Sequence, residues 1–157
     1  FQTHLKFGEQ KRVFSMIPGL ENAEFVRYGV MHQNTFLQSP KLLDKYYADR
    51  RNPLVAFAGQ MTGVEGYVES TASGYLAAVA MAAKVQEREV PDFPKETAIG
   101  ALGQYVSDES IENFQPMNIN FSIIAPLEKR IRKKAEKNLA IAARSLDVID
   151  RLVAKGI

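Results

Sequence analysis

LVAFAGQMTGVEGYVESTASGYLAAVAMAA, residues 54–83, is the stretch on which the fold turns. Residues 54–58 are a continuous apolar run of strand length, closed by Gly59. From Glu65 or Gly66 to about Ala83 the period changes, and Val68, Ala72, Tyr75, Leu76 and Val79 recur at three- and four-residue intervals, as on one face of a helix. Gly66, Ser70, Ser73, Gly74, Ala77 and Ala78 keep a second strip small, which lets a backbone or a flat ring come close. The expectation is a strand, a glycine turn and a helix, and hence an α/β fold class, α+β over this chain.

The turn carries Gly59, Gly63 and Gly66 in AGQMTGVEGY. This G-x3-G-x2-G spacing is not the dinucleotide fingerprint G-x-G-x-x-G. It still offers a backbone without Cβ hindrance and a helix N-terminus whose free N–H groups favour an anion. Two readings stand on these residues alone: a tight connection between strand and helix, or a ligand site.

Towards the N-terminus, residues 1–37 alternate short apolar stretches with turn signals such as Pro18-Gly19, and residues 23–30 read as a strand. Ser39-Pro40 opens a short helix over residues 39–47, and residues 49–53 form a polar link. Towards the C-terminus, Pro91 and Pro94 place a linker at residues 87–96. Thr97 caps a helix bearing Ile99, Leu102 and Tyr105 or Val106, and residues 107–120 are polar and irregular. A long final helix is expected after Pro126, with Leu127, Ile131, Ala135, Ala142, Leu146, Ile149 and Val153 as its apolar stripe. The expected organisation is therefore residues 1–86, a linker at 87–96 and a helical region at 97–157.

Composition narrows the classes. A chain of 157 residues, 46% hydrophobic and 24% charged, suits one globular core and argues against disorder. It opens on Phe1 rather than Met, which reads as a fragment. With no apolar run near the length of a membrane span and no signal-peptide pattern at its start, the expected location is cytoplasmic. There is no cysteine, so no disulfide framework, thiolate metal site or cysteine nucleophile can come from these residues. Two histidines without H-x3-H spacing argue against zinc.

Two further features invite chemistry. His32 lies in GVMHQNTF beside Asn34 and Thr35, where an imidazole can stack on a flat ligand or serve a structural hydrogen bond. The net charge of +2 is small, yet residues 128–137 hold six basic side chains (Lys129, Arg130, Arg132, Lys133, Lys134 and Lys137) against two acidic ones. Such a run binds phosphates or is a solvated helix face, and no aromatic residue interleaves it for base stacking.

The runs GEQKRVFSMIPGLENAEFVRYGVMHQNTF (residues 8–36) and FAGQMTGVEGYVESTASGYLAA (residues 57–78), with FQPMNINF (residues 114–121), resemble the C-terminal part of the TrmFO family of folate- and FAD-dependent tRNA uracil-5-methyltransferases. The resemblance implies the C-terminal portion of a glutathione-reductase-type FAD-binding fold plus a small helical region. It implies FAD as cofactor, with methylenetetrahydrofolate and NADPH or NADH as substrates and tRNA as partner. Gly59, Gln60, Thr62, Gly63 and Val64 would then be the flavin-contacting turn, and His32 and Asn34 the folate side, with Arg27 a weaker candidate. Lys129, Arg130, Arg132, Lys133 and Lys134 would contact tRNA. The family's dinucleotide fingerprint and its cysteines belong to an N-terminal region that is not in this sequence, so the chain alone is expected to be inactive and to need that region as its partner. A truncated sheet would also leave an open edge that invites self-association. The related flavoprotein that modifies wobble uridines shares the glycine turn but continues into a longer helical extension. An independent RNA-binding module would use the basic helix and have no need of the turn.

Overall fold

The computed structural model describes residues 2–30 and 34–156, which fall into two compact units dividing at Asn34 and Thr35. The first unit contains α1 (Phe7–Phe14), where a β-rich segment was expected. Glu9 in its first turn and Lys11 and Arg12 in its last suit the helix dipole, and Arg12 Nε donates to Glu9 Oε2 at 3.0 Å. The fully buried Gln10 holds the unit together. Its Nε2 donates to Leu5 O and Gly29 O, and its Oε1 accepts from Gly29 N, all at 2.8 Å. Residues 23–30, read as a strand, instead wrap α1 irregularly, with Tyr28 stacked on Phe7 at 5.1 Å and on Phe25 at 5.5 Å.

The second unit is helical. Its elements are α2 (Ser39–Leu42), a 3-10 turn (Gly59–Thr62), α3 (Tyr67–Val85), α4 (Ala98–Ser107) and α5 (Lys134–Ala154). The strand expected at residues 54–58 does not form, and the α/β expectation is corrected accordingly: the described residues hold only three isolated bridges, one of them between Ala48 and Ala56. A run of five apolar residues becomes a strand only with neighbours to pair with. Here residues 49–55 close on themselves, with Asp49 N donating to Val55 O at 2.8 Å and Val55 N to Asn52 O at 2.9 Å. The short helix also ends early, at Leu42, because the Asp44 carboxylate accepts from Tyr46 N at 2.8 Å and Ala48 N at 3.0 Å, a local turn that competes with helix.

The core is built from Val64, Leu76, Ala77, Leu102, Val106 and Phe114, with Tyr47 and Phe93. Phe93 brings the stretch expected as a linker into this core, and Lys95 O accepts from Ala125 N at 2.9 Å. Thr97 caps α4 as expected, its Oγ1 accepting from Gly100 N at 3.0 Å. The last helix begins at Lys134, later than expected, so Leu127 and Ile131 lie ahead of it. Its buried residue is Ile141, packed with Ala101 and Ile124; of the expected stripe Ile149 packs against the core, whereas Leu146 and Val153 are exposed. No helix among the described residues is long and apolar enough to cross a membrane.

Candidate functional site

The glycine turn is a built structure. Gly59, Gly63 and Gly66 have φ of +73°, +86° and +97°, so each sits where an L side chain is disfavoured. At Gly63 the space is also filled: a Cβ there would lie 2.4 Å from Phe114 Cζ. Within the turn, Thr62 Oγ1 donates to Gly59 O at 2.7 Å and Gly63 N to Gln60 O at 3.0 Å. Two outside segments clamp it. Ser39 Oγ donates to Thr62 O at 2.8 Å and Leu37 N to Met61 O at 2.8 Å. On the other side Met117 N donates to Gly63 O at 3.1 Å and Glu65 N to Met117 O at 3.0 Å, so the FQPMN segment is a parallel partner of the turn. Ser73 of α3 completes the clamp by accepting from Gly59 N at 2.8 Å.

These bonds sort the sequence candidates. Thr62 and Val64 are fully buried within the chain, main chain included, so neither offers a surface to a ligand here. Gly63 is buried and Gly59 half-buried, whereas Gln60 is exposed. Around them Met61, Tyr67 and Val68 are exposed, Tyr67 at 96% and Val68 at 80%, which leaves large apolar side chains in solvent beside the turn. The Glu69 carboxylate lies over Gly66 and so already places a negative charge at the end of α3 whose free N–H groups would favour an anion. Sequence reasoning passed over Glu69, although an acidic residue in the first turn of a helix is its ordinary signal.

His32 lies outside the described residues. Asn34 and Arg27 are exposed. No group of three or more His, Asp or Glu that could hold a metal exists among the described residues.

The basic run proves to be two things. Lys129, Arg130 and Arg132 lie on the non-helical approach to α5, Lys133 is its N-cap residue, and Lys134 begins the helix. Lys133 is paired with Glu136 at 3.0 Å. Arg130, Arg132, Lys134 and Lys137 instead line one cleft of about 630 Å³, together with Phe121 and Asn138. Among the described residues none of these four cations has an ion-pair partner. Lys137 belongs with them, and Lys129 does not line the cleft. Arg144 anchors α5 behind the cleft by donating to Pro126 O at 2.7 Å and to Ala125 O.

Among the ionisable groups that shift, Tyr47 stands out. Burial in the core pushes its phenol above the ordinary tyrosine range, and its hydroxyl has no hydrogen-bond partner. Tyr47 also has a φ of +64°, uncommon for a bulky residue.

Comparison with known proteins supplies what geometry cannot. Residues 1–89 match the family described as Glucose inhibited division protein A. The methylenetetrahydrofolate–tRNA-(uracil-5-)-methyltransferase TrmFO of Streptococcus agalactiae is 58% identical over 154 residues, which is 98% of this chain and 35% of that protein. The proteins of the same name from Listeria monocytogenes and Acetivibrio thermocellus are 57% and 56% identical over 97% and 99% of this chain. The chain thus spans about 35% of the length of the curated relatives it matches.

Proposed function

Because the chain belongs to the Glucose inhibited division protein A family, we propose that it is the C-terminal part of a cytoplasmic tRNA (uracil-5-)-methyltransferase of the TrmFO kind, completing that enzyme's flavin site and contributing to its tRNA surface. The observation that carries this reading is identity of 56–58% sustained over 97–99% of the chain, through both the glycine turn and the basic segment. The reaction would move a one-carbon unit from methylenetetrahydrofolate to C5 of a T-loop uridine. Bound FAD, replenished by NADPH or NADH, would supply the reducing electrons.

In this reading the chain's own residues position and exclude. The main chain of Gly59 and Gln60 lies against the ring, with Gly63 shaping the turn beneath them, and Met61, Tyr67 and Val68 cover it from water. The clamp from Ser39 and Met117 fixes the turn before any ligand arrives, so little ordering entropy is lost on binding. His32 and Asn34 are the candidates to contact the folate. Arg130, Arg132 and Lys134 meet the phosphates of tRNA, with Lys129 and Lys133 further along the same run. The chain has no cysteine with which to add to C6 of the uracil ring, so methyl transfer needs the remainder of the protein.

The test is a chimera in which this chain replaces the matching third of the Streptococcus agalactiae protein. It should form 5-methyluridine in tRNA from methylenetetrahydrofolate, at a rate comparable to the parent. A folded chimera that binds tRNA and makes no 5-methyluridine would contradict the proposal.

A further inference from the structure

We propose that the cleft before α5 is a binding subsite for one unpaired RNA nucleotide, with Phe121 as the stacking platform and the surrounding cations as the grip on its flanking phosphates. The proposal rests on the tRNA reading above and makes it specific. The sequence shows a basic run with no aromatic residue inside it. The structure supplies one from elsewhere: Phe121, 44% exposed, lines the same cleft as Arg130, Arg132, Lys134 and Lys137. A partly exposed ring walled by four cations and no carboxylate is what an unstacked base with its phosphates requires.

Three further observations favour such a ligand over a bare anion or a duplex. The cleft, at about 630 Å³, has room for a base and sugar as well as phosphate. Lys134 is the first residue of α5, so the helix contributes its positive end at the same place. The platform is also held in position: Asn120 Oδ1 accepts from Ser122 N at 3.0 Å and from the Ser122 hydroxyl, closing a tight turn around Phe121. A duplex would meet the cations through its phosphates and leave Phe121 unused, because paired bases do not offer a face.

The cleft also lies near the glycine turn along the chain. Met117, which pairs with Val64, is four residues from Phe121, so even fully extended backbone puts their Cα atoms at most about 14 Å apart. One RNA loop can span that distance, with one nucleotide on Phe121 and another at the turn.

The experiment titrates the full chain into a short single-stranded oligoribonucleotide carrying 2-aminopurine, whose fluorescence is quenched when it stacks, with a blunt duplex of the same length for comparison. The wild type should quench the probe and prefer it to the duplex. Phe121→Leu keeps the apolar volume and should lose the quenching and roughly 5- to 150-fold in affinity, at an unchanged salt slope. Phe121→Tyr should restore both, which separates loss of stacking from loss of folding. Arg130→Gln with Arg132→Gln should lower the slope of log K against log salt by about 1.4. If Phe121→Leu binds and quenches like the wild type while the arginine variant weakens, the subsite is overturned and the tRNA surface stands. If the wild type shows no salt-dependent binding to either probe, both are overturned.

Discussion

Replacing Gly63 by Ala meets two costs at once. The residue must hold a left-handed φ of +86°, which costs an L side chain about 1–2 kcal/mol, and its new Cβ must displace the Phe114 ring from 2.4 Å, an overpacking cost of about 1–3 kcal/mol. The expected loss is about 3 kcal/mol in urea unfolding. Equal stability would show that the turn is free to reshape and is not the rigid element described. This residue was legible: glycine at three spaced positions before an apolar helix signals a turn that needs them. Tyr47 was not. A bulky residue with positive φ and an unpartnered hydroxyl breaks local preference, and only the packing of the seven other core residues with it explains why it stays. Thr62 and Val64 were singled out by position in the turn, yet burial turns their side chains inward, which spacing cannot reveal.

At the level of elements, periodicity located α3 and the capping signal at Thr97 located α4. It failed where a polar residue took an apolar place. Phe7, Gln10 and Phe14 share one face of α1, but Gln10 interrupts the hydrophobic pattern while being the most buried member of its unit. Its amide exchanges hydrogen bonds with Gly29 as a neighbouring strand would, so a side chain does the work of a ladder. Gln10→Ala should leave the Gly29 N–H and C=O unmet and cost about 2 kcal/mol, roughly 30-fold in the local opening equilibrium. Hydrogen exchange at the Gly29 amide reads this directly, and unchanged protection there would contradict it. On α5 the period put Leu146, Ile149 and Val153 on the packed face, but only Ile149 of the three meets the core; Ile141, one residue off that stripe, is buried on Ala101 and Ile124, which the period could not reveal. The basic cleft was legible only as a charge run, because Phe121 reaches it from nine residues before Arg130.

For the whole molecule, the chain spans about a third of the length of the relatives it matches. The strand expectation failed for a reason of scale: residues 54–58 carry the composition of a buried strand, but their backbone pairs on one side only, through the Ala48–Ala56 bridge and Phe57 N donating to Tyr47 O at 3.0 Å. The glycine turn, by contrast, is fixed from both sides by residues of this chain, so it needs nothing further to hold its shape. The central proposal is that this preformed turn at residues 59–63 would close a flavin site whose phosphate-binding part would lie in the remainder of a TrmFO-like protein. The most direct measurement is the flavin retained through gel filtration by the remainder of the Streptococcus agalactiae protein, alone and joined to this chain. The account predicts that the remainder alone releases most of its FAD and that the joined protein keeps one FAD per chain. A well-folded joined protein that retains no more flavin than the remainder alone would contradict it.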